Sequence, residues 1–100
     1  MALQINHNNE FLEVKGNLNT QNMKTLNNHI DFYLKRNEKL ILSLERVNEI
    51  VFSSAKQLEQ LYIKVAKNNK VLTIVGQENK QIAPVMILSN TSYIFSNDRV

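Results

Sequence analysis

The sequence contains no cysteine and only two glycines and one proline among its 100 residues. Without cysteine, the chain forms no disulfide and offers no thiolate to a metal ion. The two glycines are far apart, which excludes a glycine-rich phosphate-binding loop. No apolar run approaches the roughly 20 residues of a membrane-spanning helix, and the polar N-terminus does not resemble a signal peptide. We therefore expect a cytoplasmic protein without insertion into a membrane.

The composition indicates one globular domain without an evident catalytic or metal site. A chain of 100 residues with 43% apolar side chains can bury a single core. The formal net charge of +3 comes from dispersed cations, which does not favour a nucleic-acid partner. The chain has two histidines, His7 and His29, and no cluster of carboxylates, so we expect surface histidines rather than metal ligands. Because no spacing pairs a nucleophile with a base, we expect neither enzyme activity nor a cofactor.

The first third of the chain has the pattern of a β-hairpin followed by an amphipathic helix. Apolar and polar residues alternate on both sides of Asn8-Asn9, which predicts a hairpin over residues 2–16 at a sheet edge. Asn19-Thr20 supplies an N-cap for the helix. Phe32 lies nearly opposite the apolar face of this helix, either at an interface or under a neighbouring loop. That face consists of Met23, Leu26, Ile30, Tyr33 and Leu34.

The middle of the chain predicts a strand, a loop, a helix and a second strand. The apolar runs at 40–44 and 71–75 are typical of strands that are covered on both faces of a parallel sheet. Residues 45–52 read as a loop, and residues 54–67 have helical periodicity. We expect this unit to be a right-handed crossover between parallel strands.

The last quarter of the chain predicts a third helix and a last strand. Its helical face is Ile82, Val85, Met86 and Leu88, and Pro84 requires a helix that is short, kinked or begins near the proline. Residues 93–95 look like a final short strand. In sum, residues 1–100 predict a single α/β domain. It has a mixed sheet of about five strands, with an N-terminal β-hairpin and then parallel strands, and about three helices.

Two adjacent serines lie where the second helix is predicted to begin. Ser54 and Gln57 have the spacing of a capping box, in which each side chain bonds the backbone amide of the other residue. Ser53 falls on an exposed stripe with Lys56 and Gln60, at the helix end where the dipole stabilises a phosphate. From the residues alone, Ser53 is either an ordinary loop residue or an anion-binding position.

The order of elements, with GNLN, LILSLERVNEIVFSSA, VLTIVG and IFSND, resembles the STAS domain family over nearly the whole chain. This family includes bacterial anti-sigma factor antagonists and accessory proteins of lipid transport. Before the second helix, its members usually read Asp-Ser-Ser/Thr-Gly, and a partner kinase that doubles as an anti-sigma factor phosphorylates the first serine. The matching residues here are 52–55. The resemblance therefore implies that Ser53 is the phosphoacceptor.

The resemblance also implies a function, which is a non-enzymatic protein-binding module that regulates transcription in bacteria. Its partner would be an anti-sigma factor of the serine kinase-like ATPase class. The docking surface would be the loop over residues 47–53 and the exposed face of the second helix. The candidate contacts are Ile50, Phe52, Lys56, Gln60 and Lys64.

An alternative is a constitutive accessory subunit of a membrane lipid-transport complex. Phe52 and Ala55 replace the aspartate and glycine of the family pattern, and Asn19 and Ser43 replace two further acidic residues. The site is thus less acidic than is usual in the family, which favours this alternative somewhat. The chain also ends where family members continue into a final helix, which would expose apolar sheet surface and favour a homodimer.

Overall fold

The computed structural model describes residues 3–96, in which four strands and three α-helices are followed by a 3₁₀ turn. The strand order in the sheet is β1-β2-β3-β4. β1 is antiparallel to β2, and the other neighbouring strands are parallel. This arrangement confirms the expected α/β fold. The elements are β1 (Gln4–Asn8), β2 (Phe11–Leu18), α1 (Thr20–Leu34), β3 (Lys39–Ile50), α2 (Phe52–Lys67), β4 (Val71–Val75), α3 (Ala83–Leu88) and the 3₁₀ turn (Ser92–Ile94).

Asparagine provides the left-handed backbone that several turns of this glycine-poor chain require. Asn9 in the hairpin turn has a φ of 56°, and Asn69 and Asn90, after α2 and α3, have φ values of 62° and 60°. Beyond Asn69, the Lys70 amide donates to the Val65 carbonyl at 3.1 Å, as in the Schellman motif that ends many helices. Asparagine tolerates this conformation better than most residues, so these turns form without glycine.

Both crossover helices pack against the same face of the sheet. The connections β2-α1-β3 and β3-α2-β4 join adjacent parallel strands in the same direction, and right-handed crossovers then place both helices on one side. The core lies between this face and the helices. Its fully buried side chains include Leu12, Val14, Leu42 and Ile74 from the strands and Leu26, Ile30 and Leu58 from the helices.

The opposite face of the sheet is only partly covered by the described residues. Phe11 and Val71 are 42% and 55% exposed, and Ile41, which pairs with Phe11, is half-buried. The expectation that the parallel strands are covered on both faces is therefore wrong for this part of the sheet. The cause is topological. Both crossovers are right-handed and step in the same direction along the sheet, so both helices lie on the same face of it.

Most of the segment predicted as a loop over residues 45–52 is instead the end of a long strand, and Phe52 begins the second helix. β3 continues to Ile50, and Val51 is the single residue between it and α2. The extension pairs with β2 across two register shifts near Gly16, whose φ of 120° marks a bulge. This pairing holds residues 45–50 in the sheet, although their charged and polar side chains are typical of a loop.

The side chain of Asn79 covers the edge of β3 beyond the end of β4. The last residue of β4, Val75, pairs with Ser43. Past this point, the Asn79 side-chain amide donates to the carbonyls of Leu44 and Val47 at 2.8 and 2.9 Å. This one amide group thus supplies hydrogen bonds to β3 where β4 has already ended. It also ties the β4–α3 loop to the sheet.

The C-terminal part of the prediction is correct for the helix and wrong for the last strand. α3 begins at Ala83 with Pro84 in its first turn, although Leu88, expected on its buried face, is 75% exposed. Residues 92–94 form a 3₁₀ turn, and only Phe95 bridges to β4. The sheet of the described residues therefore has four strands rather than about five. The expected absence of a final helix concerns residues outside the described range.

Two histidines join the β-hairpin to α1, contrary to the expectation of separate surface residues. His7 Nδ1 lies 2.8 Å from His29 Nε2, and His7 Nε2 lies 2.8 Å from the Asn9 carbonyl. That carbonyl needs a donor, so neutral His7 carries its proton on Nε2 and accepts from His29 at Nδ1. The His7 ring also meets the Tyr33 ring edge-on, with centroids 4.6 Å apart.

The histidine pair makes stability depend on pH. Burial lowers the pKa of His29 below its usual value, and the neighbouring His7 lowers it further. The unfolded chain therefore binds the proton more readily, so this contribution is present above the unfolded pKa of about 6.5 and is lost as the pH falls from there through the lower pKa of the folded protein. We expect the melting temperature to fall between about pH 7.5 and pH 5.5.

The control for this prediction is His29→Gln, whose amide nitrogen can still donate to His7 but does not titrate. Its melting temperature should change less over the same pH interval. Equal changes in wild type and variant would contradict a role for His29.

Asn79 offers a test of the β3 edge. Asn79→Ala leaves two strand carbonyls without their donor and should lower the free energy of unfolding by about 2 kcal/mol, measured by urea denaturation. Asn79→Asp keeps the oxygen that accepts from the Gln81 amide but loses the donor group, so it should destabilise at least as much. An Asp variant as stable as wild type would show that the donor is unimportant.

Candidate functional site

The helices α1 and α2 begin side by side at the carboxyl edge of the parallel strands. One residue separates β2 from α1, and one separates β3 from α2, so both N-termini lie where neighbouring strands end. Thr20 is the first residue of α1 and Ser53 the second residue of α2. Their hydroxyl oxygens are 3.3 Å apart. Two positive helix ends therefore meet at one exposed pair of hydroxyl groups.

Ser53 is exposed and lies next to backbone amides that precede the helical hydrogen bonds. The amide of Ala55 makes the first such bond, to the Val51 carbonyl at 3.1 Å. The amides of residues 52–54 come before it and have no acceptor within the helix. Val51, the N-cap residue, has no side-chain oxygen to bond them. The amides of the first turn are therefore available to donate hydrogen bonds to an anion at Ser53.

Ser54 is buried inside the helix and does not form the predicted capping box. The side chain is 0% exposed, and among the described residues its Oγ has no hydrogen-bond partner. The N-cap is Val51, three residues earlier, and Gln57 is an exposed residue of the second turn. The prediction is wrong because β3 extends to Ile50 and α2 begins directly after it. The equivalent cap forms on α1, where Asn19 Oδ1 accepts from the Asn22 amide at 2.8 Å.

The predicted contact residues divide into one that is buried and four that are accessible. Ile50 is 2% exposed and belongs to the core, so it is wrong as a surface contact. Its side chain points inward because residue 50 is still part of β3. Phe52 is 54% exposed. Lys56, Gln60 and Lys64 are also exposed and follow one another along α2.

The surroundings of Ser53 are basic rather than acidic. The first turn of α2 contains no acidic residue, and Lys56 lies one turn after Ser53. The nearest carboxylate along α2, Glu59, is 3.8 Å from Lys56 Nζ. It also accepts a 2.6 Å hydrogen bond from the Tyr93 hydroxyl, which raises the pKa of Tyr93. A phosphate on Ser53 would meet no negative charge within its own turn.

The positions that are acidic in the resembling family have different roles in this chain. Asn19 caps α1, as described above. Ser43 is fully buried in β3, and its Oγ accepts a 3.4 Å hydrogen bond from the Glu45 amide. A carboxylate at Ser43 would be costly to bury without a partner. Residues 3–96 contain no group of three or more metal-ligating side chains, and none of their helices is long and apolar enough to span a bilayer.

The sequence pattern alone does not predict the contact between Thr20 and Ser53 or the histidine pair. Two consecutive right-handed crossovers place the helix N-termini at the same sheet edge, so the predicted topology contains the signal for Thr20. His7 continues the alternation of Leu3 and Ile5, which predicts that its side chain faces α1. The lateral position of His29 depends on how α1 packs, which the sequence pattern does not define.

Comparison with known protein families gives a match. The sequence pattern of the family described as STAS domain matches residues 1–94 of this chain. The matched region contains every helix and strand of the described residues and the Thr20–Ser53 pair. A search of curated proteins finds no significant match.

Ser54 and Ser53 give different expectations when each is replaced by alanine. Ser54→Ala removes a buried hydroxyl without a partner and introduces a better helix former, so it should stabilise the protein by up to about 1 kcal/mol. If Ser54 were the N-cap, its replacement by alanine would instead lower the free energy of unfolding by about 1 kcal/mol. The matched control, Ser53→Ala, should change the free energy of unfolding by less than about 0.5 kcal/mol. A destabilised Ser54→Ala variant, measured by urea denaturation, would restore the capping interpretation.

Proposed function

The chain belongs to the STAS domain family, and we propose that it is a protein-binding module of the anti-sigma factor antagonist type, switched by phosphorylation of Ser53. It performs no catalysis itself. Its partner is an anti-sigma factor of the serine kinase-like ATPase class, and its action on that factor regulates transcription. The family match supports the binding function, and the geometry around Ser53 supports the switch.

The observation that carries the switch is the position of Ser53 at two adjoining helix N-termini. Its hydroxyl is exposed and reachable by a kinase, and it lies 3.3 Å from the hydroxyl of Thr20. Phosphorylation adds about two negative charges and three acceptor oxygens. The free amides of the first turn and the ammonium of Lys56 favour that charge. The phosphate is thus stabilised by its surroundings, and the charge of the surface that a partner would contact changes from positive to negative.

The docking surface is the exposed start of α2 and the face that follows it. Phe52 projects an aromatic ring beside Ser53, and an exposed aromatic is a common anchor in protein interfaces. Lys56, Gln60 and Lys64 extend this surface along the helix. A phosphate between the aromatic anchor and the first lysine would desolvate poorly and would weaken docking of a partner that fits the neutral serine.

Phe52 is also the observation that favours the second candidate, a constitutive accessory subunit of a membrane lipid-transport complex. An aromatic residue replaces the aspartate beside the phosphoacceptor, and Asn19 and Ser43 replace two further acids. An apolar contact at Phe52 suits a permanent interface, which relies more on burial than on charge. In that case Ser53 is only a surface residue of the interface.

The switch is tested with the kinase-like ATPase encoded nearest to this gene. We expect ATP-dependent transfer of one phosphate per chain, located at Ser53 by peptide mass mapping. Ser53→Ala should abolish the transfer. Ser54→Ala should leave it unchanged, because Ser54 is buried. A phosphate found at another residue, or equal labelling of wild type and Ser53→Ala, would contradict the proposal.

Binding of the same partner separates the two candidate functions. Ser53→Asp should lower the affinity at least about tenfold if Ser53 is a switch. Phe52→Ala should lower the affinity under both candidates and serves as the positive control. If Ser53→Asp binds as tightly as wild type, the constitutive function is supported instead.

A further inference from the structure

A long groove runs between α1 and α2 on the side of the helices that faces away from the sheet. Two adjoining cavities of about 470 and 590 Å³ share Lys64 and together follow α1 from Thr20 to Lys35 and α2 from Lys56 to Asn68. Their lining residues advance together along both helices, which therefore run parallel. With 15 residues at 1.5 Å each, α1 gives the groove a length of about 22 Å.

Lysines outnumber carboxylates on the rims of this groove, although Lys56 also pairs with Glu59 at 3.8 Å. Asp31 is the sole carboxylate among its lining residues. Asp31 forms a 3.0 Å ion pair with Lys64 that joins the two helices, and Lys70 donates to the carbonyls of Leu34 and Asn37. The lining lysines are Lys24, Lys35, Lys56, Lys64 and Lys70.

The floor of the groove is apolar and is continuous with the core. Met23, Leu34, Leu61 and Val65 lie beneath the groove, and each is at most 6% exposed. The apolar surface that a ligand can reach is therefore Phe32 and the aliphatic stems of the lining lysines. Phe32, on the rim, is 74% exposed. The sequence already indicates that Phe32 lies opposite the buried face of α1. The structure shows that its exposed ring lies at the edge of the groove.

We infer that the groove between α1 and α2 binds an acidic amphipathic helix of the partner protein. A helix of about 15 residues matches the length of the groove, and its apolar side chains at i, i+3, i+4 and i+7 would pack against Phe32 and the aliphatic stems of the lysines. Glutamate and aspartate on its flanks would face the lysine rims. This inference rests on the proposed function only in taking the partner to be a protein.

Charge selects this occupant over a second copy of the chain. The same groove of another copy presents the same lysines, so two copies would repel each other there. An acidic helix is attracted to the rims, and one of its carboxylates can compete with Asp31 for Lys64. Phe32 and the aliphatic stems of the lysines would then be buried in an interface whose rim is polar, as is usual for protein complexes.

The inference is tested with a synthetic 15-residue peptide that has leucine on one face and glutamate on both flanks, titrated into the full-length protein. The control is a scrambled peptide of the same composition, which has the same charge but no apolar face. Amide chemical-shift changes should map to α1 and α2 along the groove, and the affinity should fall with added salt. Equal binding of both peptides would overturn the inference, since charge alone would then explain it.

Charge variants define the site more sharply. The double variant Lys24→Glu/Lys35→Glu should lower the affinity at least about tenfold, and Asp31→Asn should raise it several-fold because it removes the competing carboxylate. The control is Lys15→Glu/Lys80→Glu, which changes two lysines that do not line the groove. It makes the same change in net charge and should alter the affinity less than about twofold. A control as damaging as the groove variant would overturn the inference, as would tighter binding of single-stranded DNA or anionic vesicles at the same residues. No kinase enters this test, so its failure leaves the Ser53 switch untouched.

Discussion

The packing of two right-handed crossovers on one face of the sheet is the constraint on which the remaining structure depends. Since β2, β3 and β4 are parallel neighbours in one direction, α1 and α2 must lie on the same side and run parallel to each other. Their N-termini then meet at the carboxyl edge of the strands, which brings Thr20 to 3.3 Å from Ser53. The same packing creates the groove between the helices and leaves the other face of the sheet partly open.

Ser53 and the groove are consequently two parts of one surface. Ser53 bonds Thr20, which lines the N-terminal end of the groove, and Lys56 belongs both to the surroundings of Ser53 and to the groove rim. A phosphate on Ser53 and a carboxylate of an acidic helix would therefore compete for the same cations. Such coupling is reciprocal, because a partner that binds the unmodified form more tightly disfavours modification by the same free energy.

The sequence predicts the parts of this molecule that follow from local periodicity. The hairpin, α1 with its Asn19 cap, α2 and the short proline-initiated α3 are visible as alternation or as helical spacing. The extension of β3 is not, because residues 45–50 are held in the sheet by pairing with β2 and by the Asn79 amide, both distant in sequence. The wrong assignment of Ser54 follows from that error, since a helix that begins at Phe52 places Ser54 inside it. Ser53 is a candidate site residue because the sequence around it resembles a family pattern, and Thr20 becomes one only when the topology is known as well.

The replacement of acidic residues around Ser53 changes how a phosphate would act in this chain. Where aspartate precedes the serine, the phosphate adds charge to a surface that is already negative. Here the neighbouring side chain is Phe52, the first turn of α2 has no acid, and the next turn begins with Lys56. A phosphate would be the only anion in its turn, stabilised by the helix dipoles and by the lysine. It would act mainly by neutralising a basic docking surface, which fits a partner whose own contact surface is acidic.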